Sequence, residues 1–272
     1  MSDALAVIGA GNMAEAIVRG VIGAKLLTPD RIIAADVSPQ RRDLFEKQLK
    51  VRAVARAPDA ARDAEVALLS VKPQHMMDAL LGLGDVMSDR TLVISIAAGI
   101  STKYIQTHLG RDLHWRIVRA MPNTPMLVGD GVVAIAPGAH ATPEDLEQAR
   151  RLFSAAAEVI DAREDQIDAV TAVSGSGPAY FFYLVEQMIR AGVELGLSPE
   201  QATTLATRTA SGAAKMLTQT GESPQELRRK VTSPAGTTHA AISHMDAQGW
   251  PQITIDALKA AARRGKELSS GA

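Results

Sequence analysis

The residues that decide the fold are ALAVIGAGNMAEAIVRGVI, positions 4–22 of the chain. Residues 4–9 form a short apolar run that predicts a buried strand, and residues 12–22 carry apolar side chains at helical spacing. Between them, Gly9, Gly11 and Ala14 match the dinucleotide-binding fingerprint G-x-G-x-x-G/A. Gly9 allows a tight turn, Gly11 lets a pyrophosphate approach the backbone, and Ala14 lets the helix pack on the strand. This stretch predicts a phosphate site on the first helical amides, and the alternative is a glycine-rich turn in another α/β fold.

Strand and helix patterns alternate through the first half of the chain. Apolar runs predict five further strands, and a charged amphipathic pattern predicts a helix at residues 40–49. The strands are predicted at residues 31–36, 65–71, 91–98, 114–121 and 132–136. Runs this apolar are typical of parallel strands, which are buried on both faces. The predicted fold class is therefore α/β, with a doubly wound parallel sheet.

The second half of the chain carries helical patterns instead. Helices are predicted at residues 179–195, 199–218, 224–231 and 251–268. We therefore expect two domains, residues 1–161 and residues 162–272. The helices of the second domain carry Ala, Gly and Thr on several faces and so bury little area each. We expect this half to complete its core against a second copy of the chain.

Composition and charge exclude several classes of protein. The 272 residues include 29 Lys and Arg and 30 Asp and Glu, and the net charge of −1 offers no electrostatic attraction for nucleic acid. The chain has no cysteine, which excludes disulfides, iron–sulfur clusters and thiolate zinc sites. Its 6 histidines are scattered, so no metal site is predicted. Without a basic signal region or an apolar stretch of ~20 residues, we expect a cytoplasmic protein with no membrane partner.

The end of the second predicted strand bears on the choice of cofactor. An acidic residue at the position of Asp36 normally binds the ribose hydroxyls and favours NAD. Ser38, Arg41 and Arg42 follow, and such side chains suit the 2′-phosphate of NADPH. Two other possibilities stay open, that Asp36 points away and that the arginines lie on a solvated helix face. The sequence favours NADPH, with NADH possible.

Three segments follow the carboxyl ends of predicted strands, where the ligands of open α/β sheets bind. They are SVKPQ at residues 70–74, AAG at residues 97–99 and MPNTP at residues 121–125. Lys72 is a candidate catalytic acid, a contact to phosphate or ribose, or merely a strand cap. Asn123 suits a carboxamide, although it could equally be a turn residue between two prolines.

Two helix starts in the second half suggest anion sites. In VSGSGPAY, residues 173–180, glycine and serine before Pro178 predict a helix N-terminus with free amides. In TSPAGTT, residues 232–238, we expect Ser233 to cap the helix, Pro234 to lie in its first turn and Gly236 to let a ligand approach. Such termini suit a substrate carboxylate, and the alternative is two ordinary capped helices.

Together these motifs resemble the pyrroline-5-carboxylate reductase family, in the order that the family shows and over nearly the whole chain. The matching segments are IGAGNMAEAI from Ile8, SVKPQ from Ser70, SIAAGIS from Ser95, MPNTP from Met121, DAVTAVSGSGPAY from Asp168 and VTSPAGTTHAAISHMD from Val231. The resemblance implies an N-terminal Rossmann dinucleotide-binding domain followed by an all-α C-terminal dimerisation domain. It implies NAD(P)H-dependent reduction of 1-pyrroline-5-carboxylate to L-proline, the last step of proline biosynthesis. It also implies a homodimer, which in the family can assemble into a decamer.

The resemblance further implies roles for particular residues. The substrate would lie at the dimer interface, with Gly236, Thr237 and Thr238 holding its carboxylate and ring nitrogen. Thr238 would be the catalytic residue, bonding the nitrogen as it becomes an amine. The other implied substrate-binding residues are Glu164, Ser176 and Ser233. The implied cofactor-binding residues are Ile8, Gly9, Ala10, Gly11, Asn12, Met13, Ser38, Arg41, Ser70, Val71, Lys72, Pro73, Ala97, Ala98 and Asn123.

The sequence departs from the family pattern at three positions, and two rival functions stay open. Ala235 replaces the commoner glycine, Asp36 stands where serine or threonine is often found, and Ala57 lies near a position where family members often carry an asparagine beside the adenine. One rival is an imine reductase or 3-hydroxyacid dehydrogenase of similar layout, which would need an acid or base such as Lys215 or Lys230. The other is a non-catalytic cofactor-binding protein, which would have no need of the motif at residues 233–238.

Overall fold

The computed structural model of the chain describes residues 5–110 and 114–270. Its packing divides the chain into two compact units. The first, which we name the sheet unit, contains the residues up to Ser176 and those from Ala261 onward. The second, the helical unit, is Gly177–Ala260. The boundary between the two units, after Ser176, thus lies later in the chain than residue 162, where the sequence pattern changes from alternating strands and helices to helices alone.

The sheet unit is built on one eight-stranded sheet within the described residues. The strands are β1 (Leu5–Ile8), β2 (Ile32–Ala35), β3 (Arg52–Val54), β4 (Val66–Leu69), β5 (Leu92–Ser95), β6 (Arg116–Pro122), β7 (Gly131–Pro137) and β8 (Ala157–Asp161). They lie in the order β3-β2-β1-β4-β5-β6-β7-β8. Neighbouring strands are parallel except β6 and β7, which are antiparallel. The first six strands therefore end at the same edge of the sheet.

The α/β fold class is confirmed, but the prediction of a wholly parallel sheet is wrong at β7. Only residues 123–130 join β6 to β7, and a parallel crossover needs a dozen or more residues. Strands β3 and β8 escape the sequence prediction because they lie at the two edges of the sheet. Both expose side chains, and neither shows the continuous apolar run of a central strand.

Helices cover both faces of the sheet. Those before the helical unit are α1 (Asn12–Gly23), α2 (Pro39–Leu44), α3 (Ala57–Ala61), α4 (Met76–Leu80), α5 (Leu83–Val86), α6 (Thr102–His108), α7 (Pro143–Phe153) and α8 (Ile167–Val170). Short 3-10 turns lie at Pro29–Arg31, Pro73–His75, Thr124–Val128 and Glu164–Gln166. The predicted helix at residues 40–49 begins as α2 and ends as a π-helical turn, Phe45–Leu49, which buries its first and last side chains.

The core of the sheet unit lies on both faces of its central strands. In β1, Leu5 and Val7 pack on the face that α1 covers, whereas Ala6 and Ile8 pack on the opposite face. All four side chains are at most 2% exposed. This double burial explains why the central strands read as unbroken apolar runs in the sequence.

The helical unit has a different balance of buried and exposed surface. Its helices are α9 (Gly177–Glu194), α10 (Pro199–Gln219), α11 (Pro224–Lys230) and α12 (Thr237–Ala247), and the last helix, α13 (Trp250–Ser270), contributes residues to both units. Its buried apolar side chains are Ala202, Ala206 and Leu227. Large apolar residues are exposed along several of its helices, among them Phe181, Phe182, Tyr183, Leu205, Met216 and Ile253. A single copy of the helical unit therefore leaves many large apolar side chains in water.

No described helix combines the length and the apolar character that a membrane-spanning segment requires.

Candidate active site

The predicted cofactor segments meet at one edge of the sheet. Ile8 lies beside Leu69 and Leu69 beside Ser95 in the parallel register, so the segments that follow β1, β4 and β5 leave the sheet together. The Ser70 amide donates to the Ile8 carbonyl at 2.8 Å, which joins the second segment to the glycine loop. The carboxyl end of β6, at Pro122, lies at the same edge. This is the position at which ligands bind to open α/β sheets.

Gly9 and Gly11 have different roles in the loop after β1. Gly9 has φ +95°, and a Cβ there would lie 2.8 Å from Val71 Cγ1 and 2.9 Å from the Ser70 carbonyl carbon. A Cβ on Gly11 would meet nothing within 4 Å, and Gly11 is the N-cap residue of α1. The first amides of a helix have no carbonyl within the helix to donate to, and the space beside Gly11 is open. This cradle fits the pyrophosphate of a dinucleotide.

Asp36 turns its carboxylate towards the glycine loop. Its Oδ2 accepts a hydrogen bond from the Ala10 amide at 2.7 Å, and its Oδ1 accepts one from the Ser38 amide at 2.8 Å. The side chain thereby links the loop after β1 to the turn after β2. Because both oxygens already bind amides, Asp36 holds the loop whether or not it also contacts a ribose.

Arg41 and Arg42 are half-buried and bound to backbone atoms around the same loop, so neither lies on a fully solvated helix face. Arg41 Nε donates to the Ala10 carbonyl at 2.5 Å, and its Nη2 lies 2.9 Å from a Glu15 carboxylate oxygen. Arg42 Nη1 donates to the carbonyls of Asp36 and Val37 at 2.7 and 3.0 Å.

Glu15 completes this network. Partial burial alone would raise the pKa of the Glu15 carboxyl, but hydrogen bonds from Arg19 and Arg41 outweigh the burial and hold the pKa below its ordinary value. Glu15 therefore stays ionised beside the two arginines. Ser38 caps α2 by accepting from the Arg41 amide at 3.4 Å.

The remaining predicted cofactor residues line the other strand ends. Asn123 is 9% exposed, and its Oδ1 accepts from the Val132 amide at 3.0 Å, which fixes the start of β7. Lys72 is exposed, and its carbonyl accepts from the His75 amide at 2.9 Å. Ala97 is buried just beyond β5. Asn123 is thus a turn residue in structure and keeps its amide nitrogen for a further partner.

Glu164 lies in the sheet unit and is bound to the first turn of α6. Its two carboxylate oxygens accept from the Thr102 amide and the Thr102 hydroxyl, each at 2.6 Å. Sequence reasoning overlooked Thr102 as well as the buried Arg119 near Glu164. A single arginine inside the apolar strand RIVRAMP, residues 116–122, is the signal that could have pointed to it.

The predicted helix N-terminus before Pro178 is wrong in detail. Residues 167–170 are already helical, and Thr171–Gly175 continue as a π-helical turn. The Ser176 amide consequently donates to the Thr171 carbonyl at 2.8 Å instead of remaining free. A Cβ on Gly175 would lie 2.7 Å from Met121 Cε, so this turn packs closely on the exit of β6.

The second predicted helix start is displaced. Helix α12 begins at Thr237 with Gly236 as its N-cap residue, so Ser233 is not the cap and Pro234 is not in the first turn. The Ser233 carbonyl accepts from the Gly236 amide at 3.1 Å, and a Cβ on Gly236 would overlap the Ser233 hydroxyl. Gly236 is therefore needed for the turn itself. The first amides of α12, at Thr237 and Thr238, remain those of a helix N-terminus.

The chain is similar to known proteins over nearly its whole length. A family model described as pyrroline-5-carboxylate reductase dimerisation matches residues 164–268, and one described as NADP oxidoreductase, coenzyme F420-dependent, matches residues 4–99. A pyrroline-5-carboxylate reductase from Synechocystis is 42% identical over 98% of this chain and 99% of its own length. The chain belongs to the pyrroline-5-carboxylate reductase family.

Two solved pyrroline-5-carboxylate reductase structures show that the fold is that of the family. The enzyme from Coxiella burnetii is 38% identical, with a TM-score of 0.90 over 99% of both chains. The enzyme from Plasmodium falciparum, whose crystal structure has NADP bound, is 25% identical, with a TM-score of 0.86 over 99% of both chains. The match extends through both the sheet unit and the helical unit.

The backbone at position 235, in the turn before α12, has a conformation that favours glycine over alanine. Ala235 has φ +57°, in the left-handed region. A residue with a Cβ costs about 1–2 kcal/mol in that region. The alanine therefore keeps the turn before α12 at a small cost in stability.

Replacing Gly9 and Gly11 by alanine separates their two roles. Gly9→Ala is expected to lower the free energy of unfolding by more than about 2 kcal/mol, because the methyl collides with residues 70–71. Gly11→Ala has free space and an ordinary φ of −71°, so it should keep the wild-type Tm. It should bind NADPH at least about tenfold more weakly, because the methyl lies beside the phosphate-binding amides. Thermal unfolding and fluorescence titration measure both effects, and an unchanged NADPH Kd in Gly11→Ala contradicts the placement.

Asp36→Asn tests how the carboxylate affects the choice of cofactor. The amide side chain cannot accept from both backbone amides, so stability should fall by about 1–3 kcal/mol. Removal of the negative charge should raise the kcat/KM ratio of NADPH to NADH, since a 2′-phosphate is repelled by a carboxylate. The control is Asp43→Asn, an exposed carboxylate on α2 that pairs with Lys47. An unchanged cofactor ratio in Asp36→Asn would show that Asp36 serves the loop alone.

Proposed function

We propose that the chain catalyses the NAD(P)H-dependent reduction of 1-pyrroline-5-carboxylate to L-proline, the last step of proline biosynthesis, with NADPH preferred. The observation that carries the proposal is the near full-length match to pyrroline-5-carboxylate reductases combined with an intact cradle at Gly11. The basic side chains around Ala10 support NADPH over NADH. The proposed compartment is the cytoplasm, on the sequence expectation alone.

The cofactor would be held by residues at the carboxyl edge of the sheet. Ile8, Gly9 and Ala10 shape the loop, and the amides at Gly11, Asn12 and Met13 would bind the pyrophosphate. Ser38 and Arg41 would bind the adenosine ribose or its phosphate. The segments that follow β4, β5 and β6 would line the nicotinamide side, through Ser70, Val71, Lys72, Pro73, Ala97, Ala98 and Asn123. When bound, the reduced nicotinamide supplies a hydride.

The substrate would be held by the helical unit through the start of α12. Gly236 would let the carboxylate approach and the amides at Thr237 and Thr238 would bind it, and an 11-residue helix places a partial positive charge there. Ser176, Ser233 and Glu164 are the further proposed substrate contacts. Thr238 is half-buried, which suits a hydroxyl that meets a ring nitrogen.

The reaction needs little chemical activation by the protein. A protonated imine is already electrophilic, so its carbon accepts a hydride and its nitrogen becomes an amine without a strong acid. The residues named above would hold the reacting atoms at close range and keep the carboxylate neutralised. Thr238 would hydrogen-bond the nitrogen throughout the change.

The rival reductases receive no support from the structure. They would need a lysine acid or base in the helical unit. Lys230 is paired with Glu222, and Lys215 is exposed on α10. Neither lies in the turn before α12.

The helical unit supports a homodimer. Its exposed apolar side chains, with Phe181, Phe182 and Tyr183 each about two-thirds exposed, are matched by few buried ones. A second copy of the same unit would cover them, and an isologous interface needs the same patch on both chains. The family model for dimerisation matches this region. Assembly of such dimers into a decamer is the larger form that we propose to look for.

The reaction is tested by following oxidation of NADPH and NADH with racemic pyrroline-5-carboxylate and by identifying the product. Formation of proline with faster turnover on NADPH supports the proposal. Cofactor binding without turnover would overturn the assignment of the substrate, and cyclic imines of other ring sizes and 3-hydroxy acids would be the next substrates.

Thr238 is tested by two substitutions. Thr238→Ala should raise KM, lower kcat and cost about 10- to 100-fold in kcat/KM, the worth of a hydrogen bond to a charged group. Thr238→Ser keeps the hydroxyl and should retain much of the activity. Thr218→Ala, which removes an exposed hydroxyl of α10, is the control. Wild-type kinetics in Thr238→Ala would remove Thr238 from the mechanism.

The dimer is tested by light scattering after size-exclusion chromatography. The wild-type chain should elute at twice the mass of one copy, or at ten times that mass if dimers assemble into a decamer. Phe182→Glu should yield monomers with a lowered Tm, because it places a charge in the proposed interface. Leu81→Glu, at an exposed apolar residue of the sheet unit, should keep the wild-type mass. A wild-type monomer at micromolar concentration would contradict the proposal.

A further inference from the structure

Arg119 is a buried cation that the mechanism above does not use. It lies in β6 and is 3% exposed. Its Nη1 is 3.8 Å from Glu164 Oε1, and its Nη2 is 3.8 Å from Asp168 Oδ1. Both distances exceed a hydrogen bond, and its Nε and Nη2 have no hydrogen-bond partner within the described residues. Arg119 is therefore held between two carboxylates by charge more than by directed bonds.

Burial of the charged Arg119 side chain at this position is energetically unfavourable. Burial lowers the pKa of Arg119, and the charges of Glu164 and Asp168 act in the opposite direction. A guanidinium keeps its proton even so. Burial of such an ion is energetically unfavourable, and a protein with an apolar side chain in its place is often no less stable. Packing of the strand alone would be served by an apolar side chain, as at the flanking positions Val118 and Ala120.

The two carboxylates connect Arg119 to three segments of the sheet unit. Glu164 binds the amide and hydroxyl of Thr102, which starts α6 just after the segment at residues 97–99. Asp168 lies in α8, which leads directly into the π-helical turn. That turn packs on Met121, two residues beyond Arg119 in β6.

We infer that Arg119 is a positioning residue for hydride transfer: by holding Glu164 and Asp168, it sets the placement of the loops that leave β5 and β6. Ala97, Ala98 and Asn123 lie in those loops. As a positioning residue, Arg119 acts through Glu164 and Asp168 and not by contact with the cofactor or the substrate. The inference rests on the proposed function for its effect on catalysis, but its effect on the loops does not depend on that function.

Arg116 provides a matched control on the same strand. Its Nη2 lies 2.9 Å from Asp145, the residue that forms the capping box of α7. Successive side chains of a strand point to opposite faces of the sheet. Arg116 lies three residues before Arg119 in β6, so the two side chains lie on opposite faces. Its loss should therefore cost stability without moving the loops.

The first measurement is amide hydrogen exchange of the cofactor-free protein. In Arg119→Met, exchange should accelerate in residues 97–103 and 164–176 and remain unchanged in the central strands. Arg116→Met should show no such change in these two segments. Unchanged exchange of both segments in Arg119→Met would overturn the inference, whatever the activity of the enzyme. If Arg119→Met does not fold, Arg119→Lys, which keeps the charge on a side chain with a different reach, takes its place, and a smaller acceleration of exchange in the same two segments is expected.

The second measurement separates alignment from stability. In Arg119→Met, kcat should fall by about 10- to 100-fold, as misplacement by about 1 Å does, while the NADPH Kd changes little. The primary kinetic isotope effect with 4-deuterated NADPH should rise, because the hydride step becomes limiting, and Arg119→Lys should recover part of kcat. Wild-type kcat and isotope effect in Arg119→Met would overturn the catalytic part of the inference, as would an equal loss in Arg116→Met. A wild-type enzyme inactive on pyrroline-5-carboxylate would instead be a failure of the proposed function.

Discussion

The structure depends on one steric constraint, the absence of a side chain at Gly9. The chain turns from β1 into α1 against the backbone of Ser70 and the side chain of Val71, and φ at Gly9 is +95°. With the strand exit this close, the helix starts directly above the sheet edge and its first amides face outward at Gly11. The phosphate cradle is a consequence of that turn, so the fold and the binding site are built by the same few residues.

Fixed charges hold the loops around this edge. Beside the glycine loop, Asp36 binds the amides of Ala10 and Ser38, and Arg41 joins the loop to Glu15. On the side of β5 and β6, Arg119 lies between Glu164 and Asp168. These ionised groups hold backbone segments in place. That division of labour suits a reaction whose substrate is already electrophilic, because placement of the reacting atoms is then the main task of the protein.

The helical unit differs from the sheet unit in how many of its apolar side chains are buried. The central strands bury their side chains on both faces, whereas the helical unit buries little more than Ala202, Ala206 and Leu227. Small residues allow helices to approach closely but bury little apolar area, and this region matches a family model for dimerisation. If the start of α12 holds the substrate carboxylate, then association of two chains and stability of the substrate site are linked, because the same unit provides both.

The sequence by itself determined the elements whose signal is local. The central strands, the glycine fingerprint, helices α1, α9, α10 and α13, and the family motifs could all be read from neighbouring residues, because double burial and helical spacing leave a continuous pattern. The edge strands β3 and β8 could not be read, since half-exposed strands carry no such run. The short connection at residues 123–130 requires β7 to run antiparallel to β6. The sequence pattern alone did not show that these two strands are neighbours in the sheet. Tertiary structure alone decided where the charged side chains point. Asp36 faces the Ala10 amide and Arg119 meets Glu164 and Asp168, because each of these contacts joins atoms that only folding brings within reach.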